Sequence, residues 1–250
     1  MMKQQIMNQI PTITKNLLII NVLMLLATHV AGSYGINLER YLALHFFLSD
    51  DFNAAQLLTY QFMHAGFTHL FFNMFALWMF GRILEQVWGP QRFLFYYLLC
   101  GVGAGLIQET VQYANYLNLK AALSPEAIEV VFREGAGLLH KGMNYVDPAL
   151  GAFNAALNGG TVGASGAVYA ILLGFGMMFP NQEMFVFPLP FPIKAKYFVI
   201  GYAVIELSAG LANRTGDPVA HFAHLGGMVF GFILITYWRK KNRGNGYYYN

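Results

Sequence analysis

Residues 64–89 read HAGFTHLFFNMFALWMFGRILEQVWG, and a tension inside that stretch decides the class of fold. No Asp, Glu, Lys or Arg stands between His64 and Gly81. A helix that crosses the hydrocarbon core of a bilayer needs about 20 mostly apolar residues, and this run supplies them. Yet His69 and Asn73 sit within it, four apart and therefore on one helical face. Strongly polar side chains are costly at that depth, so they face a cavity or a partner. The stretch is a membrane helix with something polar to point at.

The rest of the chain agrees about the solvent. Of its 250 residues 56% are hydrophobic and only 11% are charged, against about 25% charged in an ordinary soluble domain. That leaves too little polar surface to cover a globule in water. Glycine (26 residues) and aromatic residues (16%) are plentiful, as fits close helix packing in lipid and rings at the interfaces. The single cysteine, Cys100, lies in the apolar run from Phe93 to Leu106 and reads as helix filler. A lone thiol forms neither an internal disulfide nor a cysteine metal site.

Six stretches are apolar enough to span: about 14–33, 66–87, 91–110, 161–180, 196–213 and 219–238. The first has Lys3 and Lys15 ahead of Leu17 to Ala27 and resembles a secretory signal. It is retained as a span because the later ones would otherwise lose a packing partner. Six spans put both termini on one side. With the termini inside, the inner segments hold Lys3, Lys15, Arg82, Arg92, Lys194, Lys196, Arg239, Lys240, Lys241 and Arg243. The outer segments hold half as many: Arg40, Lys120, Arg133, Lys141 and Arg214. The inside excess of basic residues supports that orientation. The organisation expected is a segment 1–13, a membrane domain 14–238 and a basic tail 239–250, in a bacterial inner membrane given the compact layout.

An outer-side insertion of about residues 111–160 separates the third and fourth spans. Ser124-Pro125-Glu126 resembles a helix start, with Ser124 as cap and Pro125 in the first turn. Ile128, Val131, Leu138 and Leu139 then form an apolar stripe, predicting an interfacial helix. The Gly- and Asn-rich stretch from Gly151 to Gly160 reads as loop.

Polar residues recur at one depth in three spans. His69 and Asn73 lie in the second, with His64 just before it; Gly163-Ala164-Ser165-Gly166 opens the fourth; His221 and His224, three apart, lie in the sixth. All fall near the outer ends in the topology above. Serine and glycine in a membrane helix more often serve close packing than chemistry, and a lone histidine is often a hydrogen-bond partner. Convergence shifts the balance, because a serine nucleophile needs a base and donors for the developing oxyanion. A metal site is the chemical rival, with His221, His224, His69 and His64 as imidazole donors. No His-Glu-x-x-His occurs, no carboxylate lies at that depth in these three spans, and no span contains an aspartate. The reading is therefore no metal and no cofactor.

These residues resemble the rhomboid family of intramembrane serine proteases. His64-x-x-x-x-His69-x-x-x-Asn73 is similar to a family motif, and Gly81-x-x-x-Glu85-x-x-x-Gly89 to the family's turn at the inner side. Gly163-x-Ser165-Gly166 with Tyr169 one turn on, and Ala223-His224-x-x-Gly227-x-x-x-Gly231, complete the pattern. The resemblance covers about residues 14–110 and 161–238 and implies an all-α fold, a six-transmembrane-helix rhomboid-like bundle with the insertion added. It implies Ser165 as nucleophile and His224 as its base, a dyad without a carboxylate. Asn73, His69 and the Ser165 N–H would form the oxyanion hole. Tyr169 would stack on His224, Gly163 and Gly166 would be supporting residues beside the serine, and Gly227 and Gly231 would let the sixth helix approach the fourth. His221 and His64 would lend support.

The partners implied are the lipid bilayer and single-span membrane protein substrates with helix-weakening residues, and no nucleic acid. Such substrates would enter past the small residues Gly201, Ala203 and Ser208 of the fifth span, under a cap formed by Asn213 to Pro218. Two features depart from the family. The first loop, Gly35 to Tyr60, has no tryptophan where many members carry a Trp-Arg pair, and the insertion has no counterpart in the simplest members. Other classes consistent with the residues are a catalytically silent rhomboid-like binder of membrane helices and a polar-lined transporter. The first is disfavoured because Ser165 and His224 are both present, the second because symmetric halves and broken spans are lacking.

Overall fold

A computed structural model of the chain describes residues 10–186, 190–212 and 220–244. Helix α1 is Thr12–Ser33, and the first loop holds α2 (Glu39–Leu42), β1 (Leu44–His45) and α3 (Gln56–Thr59). Helix α4 runs from Phe67 to Trp88 with one wide turn at Leu77–Gly81, and α5 is Pro90–Ala121. The insertion contributes α6 (Pro125–His140) and α7 (Pro148–Asn158), then β2 (Gly160–Thr161) leads to α8 (Ser165–Met178). A hairpin of β3 (Glu183–Phe185) and β4 (Pro192–Lys194) precedes α9 (Ala195–Ala212) and α10 (His221–Gly244).

Among the described residues five helices are long and apolar enough to cross a membrane: α1, α4, α5, α9 and α10. Their outward faces carry exposed Ile19, Leu23, Phe72, Ile205 and Phe232, which suits a hydrocarbon solvent and no other. The predicted fourth span, 161–180, is shorter than expected, because α8 has only 14 residues. It is apolar on nearly all sides, with Ala167, Ala170, Ile171 and Phe175 all buried, the pattern of a helix enclosed by others. It packs against α10, α5 and α9. The protein is thus an all-α membrane bundle with a short central helix.

The termini of α4 and α1 are joined electrostatically. The buried Glu85 carboxylate accepts hydrogen bonds from the N–H of Ile13 at 2.9 Å, the N–H of Thr14 at 2.7 Å and the Thr14 hydroxyl at 2.7 Å. First-turn N–H groups have no partner within their own helix, and here a side chain from another helix satisfies them. With Leu17 and Leu25 also buried in the core, α1 packs as a member of the bundle.

Three expectations need correction. The third span does not end near residue 110: α5 continues to Ala121. Gln108, Glu109 and Gln112 end the apolar run there, but they are good helix formers and no Gly or Pro intervenes. Gly151–Gly160 is not a loop, since it lies largely within α7. The Asp147 side chain accepts from the Leu150 N–H at 2.9 Å and Pro148 takes the first turn, a start signal that outweighs the glycines. The apolar stripe of α6 forms on the predicted Ser124 cap, but part of it faces protein. Val131 is buried with Phe46, Tyr116, Phe153 and Leu157 in a second core, against which Ile128 packs. The insertion is therefore docked on the first loop and on the extension of α5.

Candidate active site

The site lies where the N-terminal ends of α4, α8 and α10 meet. The approach to α8 is fixed first. β1 pairs with β2, Leu44 opposite Thr161 and His45 opposite Gly160, so the first loop grips the chain just before Ser165. The Gly163 N–H then donates to the Tyr60 carbonyl at 3.0 Å. Gly163 has φ 135°, a backbone conformation that side-chain-bearing residues rarely adopt. Its turn ends with Ser165 as the first residue of α8, at the positive end of the helix dipole and among N–H groups without helical partners.

Across from it, α10 delivers a histidine. Nε2 of His224 lies 2.8 Å from Oγ of Ser165, two side chains 59 residues apart in sequence. The Tyr169 ring, one turn below Ser165, stacks on His224 with centroids 4.3 Å apart and planes 7° from parallel. The approach of α10 to α8 requires glycine. A Cβ at Gly227 would collide with the Gly166 carbonyl, and one at Gly231 with the Tyr96 hydroxyl.

Helix α4 brings His69 to the same place and carries Asn73 one turn further on. A Cβ built on Gly163 would meet His69 Cε1 at 2.8 Å, His69 Nε2 at 3.0 Å and Ser165 Oγ at 3.4 Å. The absent side chain of Gly163 thus marks a spot shared by His69 and Ser165. Asn73 is buried, with its amide donating to the His69 carbonyl at 2.9 Å. His64 is buried, with its ring centroid 5.0 Å from that of His69.

The site holds one further residue that the sequence motifs do not include. Glu206, on α9, is buried, and its Oε2 lies 2.9 Å from His224 Nδ1 and 2.6 Å from His221 Nδ1. Its Oε1 accepts a hydrogen bond from the Tyr169 hydroxyl. A carboxylate thus stands behind His224, where the resemblance implied none. The signal was available, for Glu206 is the only charged side chain between Lys196 and Arg214, and a lone charge in a span marks a site by default. Glu206, His221 and His224 also bring one donor atom each within 4.8 Å of one another, a set able to hold a metal ion. The expected cap Asn213 to Pro218, with Asp217, lies outside the described residues, as do residues 1–9 and the end of the basic tail.

Comparison with known proteins gives the same family as the site. A family model described as the rhomboid domain matches residues 51–241, and the chain belongs to the rhomboid family. It is similar to Rhomboid-like protein 16, chloroplastic, of Arabidopsis thaliana, 26% identical over 189 residues, covering 75% of this chain and 49% of that protein. RHOMBOID-like protein 12, mitochondrial, of the same plant is 27% identical over 212 residues, covering 82% and 53%. Rhomboid protein 1, mitochondrial, of Saccharomyces cerevisiae is 26% identical over 203 residues, covering 80% and 47%. The chain spans about half the length of these relatives. The protein is an integral, multi-pass membrane protein, and these relatives carry organellar names that lend no support to the bacterial inner membrane expected above.

Proposed function

We propose that the chain is an intramembrane serine endopeptidase that cleaves single-span membrane proteins within or near their transmembrane helix. The observation that carries this reading is the 2.8 Å approach of His224 Nε2 to Ser165 Oγ, inside the range a nucleophile and its base require. As Ser165 Oγ attacks the scissile carbonyl carbon, its proton passes to His224 Nε2. The carbonyl electron pair moves onto oxygen, where the Ser165 N–H, Asn73 and His69 stabilise it. His224 then returns the proton to the leaving amine as the C–N bond breaks, and water releases the acyl group by the same route.

Tyr169 holds the His224 ring, Gly163 and Gly166 shape the serine turn, Gly227 and Gly231 set the helix approach, and His221 supports His224. Substrate helices must unwind locally, because a hydrogen-bonded helical carbonyl is shielded from attack. The membrane domain is assigned to residues 14–238, both termini are placed on the basic-rich inner side, and water reaches the site from the outer side. A bacterial inner membrane is retained for the compact layout.

Purified protein offered a model single-span substrate should cleave it. Ser165→Ala and His224→Ala should abolish cleavage, and Asn73→Ala should slow it by about 100- to 1,000-fold as one oxyanion donor is lost. Full activity in Ser165→Ala would sink the reading. The Glu206–His221–His224 cluster supports one rival, a metal-dependent hydrolase. Chelators would silence that enzyme, while the serine protease keeps its rate in them.

A further inference from the structure

Helix α9 carries its one acid at a position that lipid should forbid. Glu206 sits within α9 with Ile205 and Leu207 on either side, both exposed to the apolar surroundings of the bundle. A carboxylate in such a helix is tolerated only when its oxygens are engaged, and both are. The Tyr169 hydroxyl donates to Oε1, and Nδ1 of His221 and of His224 lie 2.6 and 2.9 Å from Oε2. A carboxylate can only accept. The His224 proton therefore resides on Nδ1, which leaves the Nε2 lone pair facing Ser165 Oγ at 2.8 Å. Two of the three donors to Glu206, Tyr169 and His224, are themselves stacked at 4.3 Å. The carboxylate thus fixes both rings of that stack from one side.

We propose that Glu206 is a positioning residue that completes a Ser165–His224–Glu206 relay, setting the tautomer of His224 and stabilising the imidazolium that forms as Ser165 attacks. It takes no proton. The Ser165 proton moves to Nε2, the new positive charge spreads to Nδ1–H, and the charge-assisted bond to Oε2 strengthens at that moment. A bond that strengthens as the barrier is climbed lowers the barrier. This rests on the serine-protease reading above, and adds a third member where the family resemblance implies two.

The test uses the full chain in membranes, with wild type, Ser165→Ala, Glu206→Gln and Glu206→Asp compared on a model single-span substrate. Glu206→Gln keeps the shape but places an amide opposite two N–H donors. Its kcat should fall by about 100- to 10,000-fold, the scale at which a wrong tautomer or lost base costs a serine hydrolase, with KM unchanged. Glu206→Asp keeps the charge and should retain at least about ten times the kcat of Glu206→Gln, because the charge, not the bulk, supplies the effect. A purely structural role would give equal losses in the two variants, or a loss in KM.

Near-wild-type kcat in Glu206→Gln, with Ser165→Ala inactive, overturns the relay and leaves the serine protease standing. Activity in Ser165→Ala overturns both. If neither Glu206 variant accumulates as folded protein, Glu206 belongs to helix assembly and the relay is likewise overturned.

Discussion

Gly227 on α10 faces the carbonyl of Gly166 on α8 with no room for a single methyl group between them. Without a hydrophobic drive between helices in lipid, such close backbone contact is what holds them together. It also sets the distance from Ser165 to His224, one residue before Gly166 and three before Gly227. Gly227→Ala should therefore lower stability by about 1–3 kcal/mol, the usual cost of overpacking, and reduce cleavage more than tenfold. Gly201 on α9 is the control, because nothing lies within 4 Å of a Cβ built there. Gly201→Ala should leave thermal stability equal or raised by up to about 1 kcal/mol, as Ala outranks Gly inside a helix. Equal melting shifts in the two variants, measured in detergent, would refute the packing account.

Tyr169 contributes two separable things: a ring parallel to His224 and a hydroxyl that donates to Glu206. Tyr169→Phe removes only the second and should lower kcat by about ten- to a hundredfold, the equivalent of one hydrogen bond to a charged group at about 1.5–3 kcal/mol. Tyr169→Leu removes both and should be the slower variant. Leu matching Phe in kcat would show that the stack contributes nothing.

What the sequence made legible followed local physics. Apolar runs located the five long helices, and the spacing of His69 and Asn73, or of Ser165 and Tyr169, placed each pair on one face. Ser165 and His224 were chosen as partners only through a resemblance, since nothing local couples residues 59 apart. Glu206 is hidden from local reading for the same reason. Its partners lie 37 residues before it and 15 and 18 after it, and the fifth span was read only for its small residues. Polar and glycine-rich composition masks the length of α5 and the existence of α7, although the cap and propensity signals for both are present in the chain. The docking of the insertion on the first loop required tertiary contacts that no periodicity encodes.

That docking is electrostatic as well as apolar, which makes it sensitive to acid. His140 Nε2 on α6 lies 2.5 Å from Asp51 Oδ2 in the first loop, and Arg40 Nε lies 3.0 Å from Oδ1. Burial alone would raise the Asp51 pKa, but the hydrogen bonds and charges of His140 and Arg40 prevail and hold it below the ordinary aspartate value of 3.8. A carboxyl depressed in the folded state contributes stability that is full above its unfolded pKa and is lost as pH falls through the folded one. Amide protection of residues 125–158 should therefore hold from neutral pH down to about 5 and fall as pH drops below about 4, the unfolded aspartate range. Asp51→Asn should have lower protection at neutral pH and lose this acid step. An identical acid step in Asp51→Asn would assign it to other groups.

Glu85 offers the corresponding test at the opposite end of the bundle. Its carboxylate satisfies the N–H groups of Ile13 and Thr14 and the Thr14 hydroxyl, three donors of a helix start that lies against protein. Glu85→Ala leaves those donors without a partner, and each buried, unsatisfied group costs about 1–3 kcal/mol. Partial access to water at the half-buried Ile13 reduces its share, whereas Thr14 is fully buried and bears most of the loss. The melting temperature should drop markedly and α1 should become the first helix cut by protease. Protein still folded at low temperature should keep the wild-type KM for the proposed cleavage, because Glu85 and Ser165 lie at opposite ends of their helices. Glu85→Gln, which still accepts but without charge, should fall between. An unchanged melting temperature in Glu85→Ala would mean that α1 is held by its apolar face alone, through Leu17 and Leu25.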